Sequence, residues 1–281
     1  MTSAAVVGRL RRSSGEKRVG HGGTLDPAAT GVLPIFFGRA TVLAEFLSAQ
    51  GKSYAGEVVL GAASTTDDGE GELTPVPLPA MPGTQDLAAA LAAFVGSIQQ
   101  SPPAYSAVKI DGERSYRRAR RGDEPAPAPR TVELVRADVL GCREEGDTLV
   151  VSIDISCGPG FYVRALARDL GRALGTAGYL RALRRTAVGP LRVEDAVGLE
   201  EAEMLRGQIA ERLLPATLAV GSMMSVPVRP EDEARLAHGM EVVAPVTGTG
   251  PAFAQGEGDR LLAIGDVFAG RFRPRRLVEV G

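Results

Sequence analysis

The chain of 281 residues is poor in the residues that staple or metallate a fold. Its two cysteines, Cys142 and Cys157, lie apart and form no Cys-x-x-Cys pair, so no disulfide framework is implied. The two histidines, His21 and His238, are widely separated and give no zinc-ligand spacing. No apolar run approaches the length that spans a bilayer. The opening "MTSAAVVGRLRR" lacks the apolar segment of a secretory signal. These absences point to a cytoplasmic protein in a reducing compartment, without a structural metal and without a membrane. Net charge is also scarce, at −2, which taken alone argues against a nucleic-acid partner.

The charge that is present is segregated. Residues 8–18, 109–121 and 161–186 hold 5, 6 and 6 Lys/Arg against 1, 2 and 1 Asp/Glu, so they carry +13 against −15 for the rest. Such a distribution suits a cationic face on an acidic body, as binding to a phosphate backbone requires. Solvated helix faces also collect arginines, and composition does not choose between the two. A hydrophobic content of 44% supports a full core. The length suggests one large domain, or a main domain with a small appendix.

Periodicity places several elements. Residues 9–12 suggest a short helix running into a loop. "SYAGEVVLG" (53–61) alternates Tyr54, Gly56, Val58 and Leu60 and reads as a strand. "TTDDGEGE" reads as a turn. Thr84 is placed to cap a helix with Leu87, Leu91 and Phe94 on one face. The proline-rich "DEPAPAPR" (123–130) predicts an exposed loop. In "DTLVVSIDISC", Leu149, Val151, Ile153 and Ile155 line one face of a strand. After "GPG" comes a helix with Val163, Leu166, Leu170 and Leu174 as its apolar stripe, closed by Gly175. Arg164, Arg168 and Arg172 sit four apart on a displaced face. From about residue 225, short runs separated by glycines predict a small β-rich region.

One stretch does not read as ordinary scaffold. "VGHGGTLDPAATGVLP" (19–34) gathers four glycines, a histidine and the lone carboxylate Asp26 before a proline. It lacks the Gly-Lys-Ser/Thr of a phosphate-binding loop, and Leu25 stands where a dinucleotide fingerprint needs glycine. No Gly-x-Ser-x-Gly occurs in the chain. A glycosidase pair would want a second acid nearby, and the next along the chain is Glu45. Asp-Pro also suits a helix N-cap and first position, although Gly31 and Pro34 would end such a helix within two turns.

"GHGGTLDPAATGVLP" resembles the signature of the TruB-type tRNA pseudouridine synthases. Three further stretches follow in that family's order: "SYAGEVVLG", "SPPAYSAVKIDGERSYRRARRG" and "CGPGFYVRALARDLG". The C-terminal "LLAIGDVFAGRFRP" resembles the PUA-like RNA-binding module of many members. The likeness covers almost the whole chain. It implies an α+β fold: a mixed-sheet catalytic domain with flanking helices over residues 1–222, with an RNA-gripping insertion at about 103–130, then a PUA-like domain over 223–281. Members usually begin with a strand ahead of a Thr-Ser-His segment; here Thr2 and Ser3 match, Ala4 replaces the histidine, and the strand is expected to be missing.

The resemblance further implies isomerisation of a T-loop uridine of tRNA (position 55) to pseudouridine, by base flipping, glycosidic cleavage and rejoining through C5. No cofactor or metal is needed, the partner is the tRNA T-arm, and a monomer without an obligatory protein partner is expected. Asp26 would be the essential carboxylate, attacking C1′ or removing the 2′ proton. Arg164 would be its ion-pair partner, and Tyr54 would pack on the target base and assist at C5. His21, Tyr162 and Leu183 would line the nucleotide pocket. Lys109, Arg114, Arg117, Arg118, Arg120 and Arg121 would meet phosphates. The glycines around Asp26 are read as room for RNA backbone. Two alternatives stand beside this: a guide-RNA-dependent relative acting on ribosomal RNA, and a non-catalytic tRNA-binding or folding protein.

Overall fold

A computed structural model gives the fold and describes residues 1–106, 109–110, 113–115, 121, 123 and 127–280. In chain order the elements used below are α1 (Ser3–Ser14), β1 (Val19–His21), β2 (Thr30–Gly31), β3 (Ile35–Phe37), β4 (Lys52–Leu60), α2 (Thr84–Ala92) and β5 (Gly96–Gln100). Then follow β6 (Arg130–Glu145), β7 (Thr148–Cys157), α3 (Val163–Ala173) and β8 (Gly178–Val188). The C-terminal part holds β9 (Met224–Pro227), α4 (Pro230–Ala237), β10 (Val242–Val243), β11 (Gly250–Gln255), β12 (Leu261–Phe268) and β13 (Arg271–Val280). The chain divides into two compact units, one formed by residues 28–32 and 50–188, the other by 1–27, 33–49 and 189–281. Among the described residues, no helix is long and apolar enough to cross a membrane.

The 50–188 unit is built on an antiparallel sheet in the order β8-β4-β7-β6-β5, with β2 added parallel to β8. The alternation expected in β4 and β7 is realised: Tyr54, Val58 and Leu60 share a buried cluster with Leu149, Val151, Ile153 and Ile155. Leu87 and Leu91 of α2, and Val163, Leu166 and Leu170 of α3, complete that cluster. Helix α2 starts at Thr84, but its cap is one residue earlier than the sequence suggests. Gly83 holds the N-cap place, and its N–H donates to the Asp86 carboxylate at 3.1 Å. Helix α3 ends as expected, with Gly175 in the left-handed region at φ +74°.

Part of the opposite face of this sheet is charged. Arg143 reaches Glu57 at 2.9 Å, and Arg181 reaches Glu57 at 2.8 Å and Glu145 at 2.6 Å. Hydrogen bonds from Arg143 and Arg181 hold the Glu57 carboxyl below the ordinary glutamate value.

Gly31, where β2 meets β8, is a position that only glycine fits. Its φ is +100°, and an added Cβ would lie 2.1 Å from the carbonyl oxygen of Arg185. Since that neighbour is backbone within a sheet, Gly31→Ala is expected to cost about 2–4 kcal/mol. Gly207→Ala, with open space around the added carbon, serves as the control. Denaturant midpoints of the two variants measure the difference.

In the other unit, α1 is capped by Thr2, whose hydroxyl accepts from the Ala5 N–H at 3.2 Å, and stops at Gly15 with φ +75°. It is longer than the short helix expected over 9–12. Its Arg9 pairs with Glu203. The β-rich C-terminal region is a five-stranded sheet in the order β9-β11-β12-β13-β10, with β9 and β11 parallel and the others antiparallel. Val226, Leu236, Ala252, Ala263 and Phe272 fill its core.

Candidate active site

The Asp26 segment leaves β1 as an irregular loop, and Pro27 and Ala28 form a turn. No helix follows, so Asp26 does not act as an N-cap. The loop is held by α1: the Leu25 N–H donates to the Ser3 hydroxyl at 2.9 Å, and that hydroxyl lies 3.4 Å from the Leu25 carbonyl oxygen. Ser3 is itself buried. The Thr-Ser pair thus divides its work, Thr2 starting the helix and Ser3 fixing the backbone beside the half-buried Asp26. His21, also half-buried, lies on β1 opposite Ile35 of β3. Gly22 packs tightly within the protein, since a Cβ there would meet the Phe36 ring at 2.9 Å. At both Gly22 and Gly31, then, the close neighbours are protein atoms.

Tyr54 lies on the central strand β4, between Ile155 of β7 and Arg185 of β8, and is 8% exposed. Arg185 is 1% exposed. Its Nε donates to the Val32 carbonyl at 2.8 Å, and its guanidinium hydrogen-bonds the Tyr54 phenol. Burial pushes the Arg185 guanidinium below its usual value, with the phenol offsetting part of that. Leu183, two residues earlier on β8, packs against the cluster that contains Tyr54. Tyr162 occupies the N-cap place of α3. The buried Gln100 side chain clamps its backbone from both sides, accepting from the Tyr162 N–H at 2.8 Å and donating to its carbonyl at 3.0 Å.

Arg164 is the second residue of α3 and is 6% exposed. Nη1 donates to the Thr66 carbonyl at 3.1 Å and to Asp68 Oδ2 at 3.2 Å, while Nη2 donates to the Tyr105 carbonyl at 3.0 Å. The other Asp68 oxygen accepts from the Thr66 hydroxyl and, at 3.0 Å, from the Glu70 N–H. One helical turn on, Arg168 Nη1 meets Asp67 Oδ2 at 2.8 Å. Burial pushes the Asp67 carboxyl above the ordinary aspartate value, against the pull of Arg168.

The arginines of residues 161–186 therefore do not make a uniform cationic face. Arg164, Arg168 and Arg181 have carboxylate partners, and Arg185 is in the core. Of the residues expected to grip phosphate, Lys109 and Arg114 are backbone register partners in a two-stranded hairpin. Arg121 is exposed and pairs with Asp123 at 3.5 Å. Arg117, Arg118 and Arg120 lie outside the described residues. Sequence reasoning missed Asp68, Gln100 and Arg185. The only trace of the first was an Asp-Asp pair read as part of a turn.

The profile of the TruB family pseudouridylate synthase N-terminal domain matches residues 11–163. That of the tRNA pseudouridylate synthase B C-terminal domain matches residues 164–220. A tRNA pseudouridine synthase B of Dinoroseobacter shibae is 41% identical over 286 residues, covering 100% of this chain and 92% of that protein. One from Caulobacter vibrioides is 38% identical over 292 residues, covering 100% and 93%. Among solved structures, an H/ACA ribonucleoprotein bound to a substrate RNA containing 2′-deoxyuridine has a similar fold. Its TM-score is 0.73 at 20% identity, covering 100% of this chain and 82% of that one. The loop carrying Asp26, the Tyr54 strand and the Arg164 helix stand within matches that span most of the sequence, and the chain belongs to the TruB family of pseudouridylate synthases.

Proposed function

We propose that this protein isomerises uridine to pseudouridine in the T-loop of tRNA, at position 55, acting without a guide RNA or protein partner. The observation that carries the reading is full-length similarity to proteins named tRNA pseudouridine synthase B. In this reading Asp26 is the essential carboxylate and Arg164 its compensating cation, because an uncompensated charge in a closed site is costly. Tyr54 stacks on the everted base, and Leu183 gives the apolar floor. His21 and Tyr162 complete the nucleotide pocket. Flipping the uridine costs a few kcal/mol, which stacking and edge contacts offset.

The reaction breaks N1–C1′ and forms C5–C1′, and the proton lost from C5 is balanced by one gained at N1. Atoms balance without loss or gain, so the residues need to supply only a carboxylate, a counter-charge, a stacking surface and a proton acceptor. Tyr54, which neighbours Arg185 across β4 and β8, is read as that acceptor. Lys109, Arg114, Arg117, Arg118, Arg120 and Arg121 grip the T-arm phosphates, and the C-terminal sheet extends the RNA contact as a PUA-like domain over 223–281.

The deciding experiment incubates the purified protein, alone, with an unmodified tRNA transcript and maps pseudouridine. Product at the T-loop position is expected. Activity that requires an added guide RNA, or binding without product, overturns the reading in favour of one of the two alternatives.

A further inference from the structure

The Arg164 fork is aimed by a loop that has a second attachment of its own. Residues 64–70 present two consecutive acids, Asp67 and Asp68, to two arginines four residues apart on α3. Asp68 takes Arg164 at 3.2 Å, and Asp67 takes Arg168 at 2.8 Å. Neighbouring residues can meet side chains one helical turn apart because Asp67 adopts φ +60°, a left-handed backbone that costs little for aspartate or asparagine and more for other side chains. On its other side the loop is fixed by main chain, with the Leu180 N–H donating to the Asp67 carbonyl at 3.0 Å and the Gly69 N–H donating to that of Leu180 at 3.1 Å.

Both arginines also hold a second segment. Arg168 Nη2 donates to the Ser101 carbonyl at 2.9 Å, and Arg164 Nη2 to the Tyr105 carbonyl at 3.0 Å. Arg168 is further oriented by Asp169, at 2.9 Å from its Nε. The two forks therefore make parallel rungs between the same helix and the same two segments. Arg164 has the looser acid contact, and one of its nitrogens is shared between a carbonyl and a carboxylate. Its orientation follows the loop, and the tighter Asp67–Arg168 rung fixes where the loop lies on the helix.

We propose that Asp67 and Arg168 are a positioning pair for the isomerisation, setting the orientation of Arg164 through the 64–70 loop without touching the uridine. The inference rests on the reading of the chain as a tRNA pseudouridine synthase. Loss of the rung lets the loop, and with it Asp68, shift on α3, so the rate of the chemical step falls while RNA binding does not.

The test compares single-turnover rates at saturating tRNA transcript, tRNA dissociation constants and melting temperatures. Variants are Asp67→Asn, which retains the left-handed preference, Arg168→Gln, and the double variant. Each single change is expected to slow the step about tenfold, equivalent to ~1.4 kcal/mol of barrier, with the dissociation constant unchanged. The double variant, whose two amides can bond without leaving a buried charge, is expected to be faster than either single. Singles at the wild-type rate overturn the proposal. So do effects that multiply in the double, a weakened tRNA affinity as the sole change, or a rate loss that merely follows the unfolded fraction. A wild-type protein that makes no pseudouridine would instead strike at the functional reading, so the two failures are distinguishable.

Discussion

Asp26→Asn is expected to bind tRNA as the wild type does and to make no detectable pseudouridine, a loss of about 10⁴-fold or more in the single-turnover rate. The amide is nearly the same size, and the loop that carries it is fixed elsewhere, by Ser3 on the Leu25 backbone and by the turn at Pro27 and Ala28. The fold should therefore not notice the change. The chemistry should, on either route: an amide oxygen is a poor nucleophile at C1′ and a poor base for the 2′ proton. Affinity should survive because it is spread over many phosphate contacts and falls steeply with salt. Gel-shift titration and pseudouridine mapping on the same preparation separate the two effects. Turnover within tenfold of wild type would remove Asp26 from its assigned role.

What the sequence reveals of this molecule is what local periodicity can encode. The alternation in β4 and β7 and the stripe Val163, Leu166, Leu170 were legible because each face is buried against one partner. Strand β8 was not, since bulges between Leu180 and Ala182 and between Arg185 and Ala187 break the period of two. The same holds for β6, a charged strand with irregularities after Leu134 and Val139 that reads as no element at all. Arg185 misled for a related reason: an arginine in an arginine-rich run suggests solvent or phosphate, yet this one is in the core, bonded to Tyr54 and Val32. The motif residues could be picked out through resemblance, but their supports could not. Asp68 stands 96 residues from Arg164, and nothing in an Asp-Asp turn names a partner that only the folded sheet brings near.

That support gives the second large effect. Arg164→Lys keeps the charge and should keep the fold, yet is expected to slow isomerisation about 10²–10³-fold with little change in tRNA affinity. The guanidinium spends Nη1 on the Thr66 carbonyl and Asp68, and Nη2 on the Tyr105 carbonyl, in a planar fork. A lysine ammonium is a single point on a flexible stem, and it cannot span both segments with a fixed direction. Charge alone would therefore be retained while aim is lost. Arg164→Met separates these contributions further, because it leaves the largely buried Asp68 carboxylate without its cation. Asp68 keeps its bonds to Thr66 and Glu70, so the expected destabilisation is near the lower end for a broken buried pair, about 3 kcal/mol. Lysine should melt close to wild type and methionine well below it, with both slow in single turnover. A lysine variant with the wild-type rate would mean that positive charge suffices at this position and that the fork geometry has no part in the chemistry.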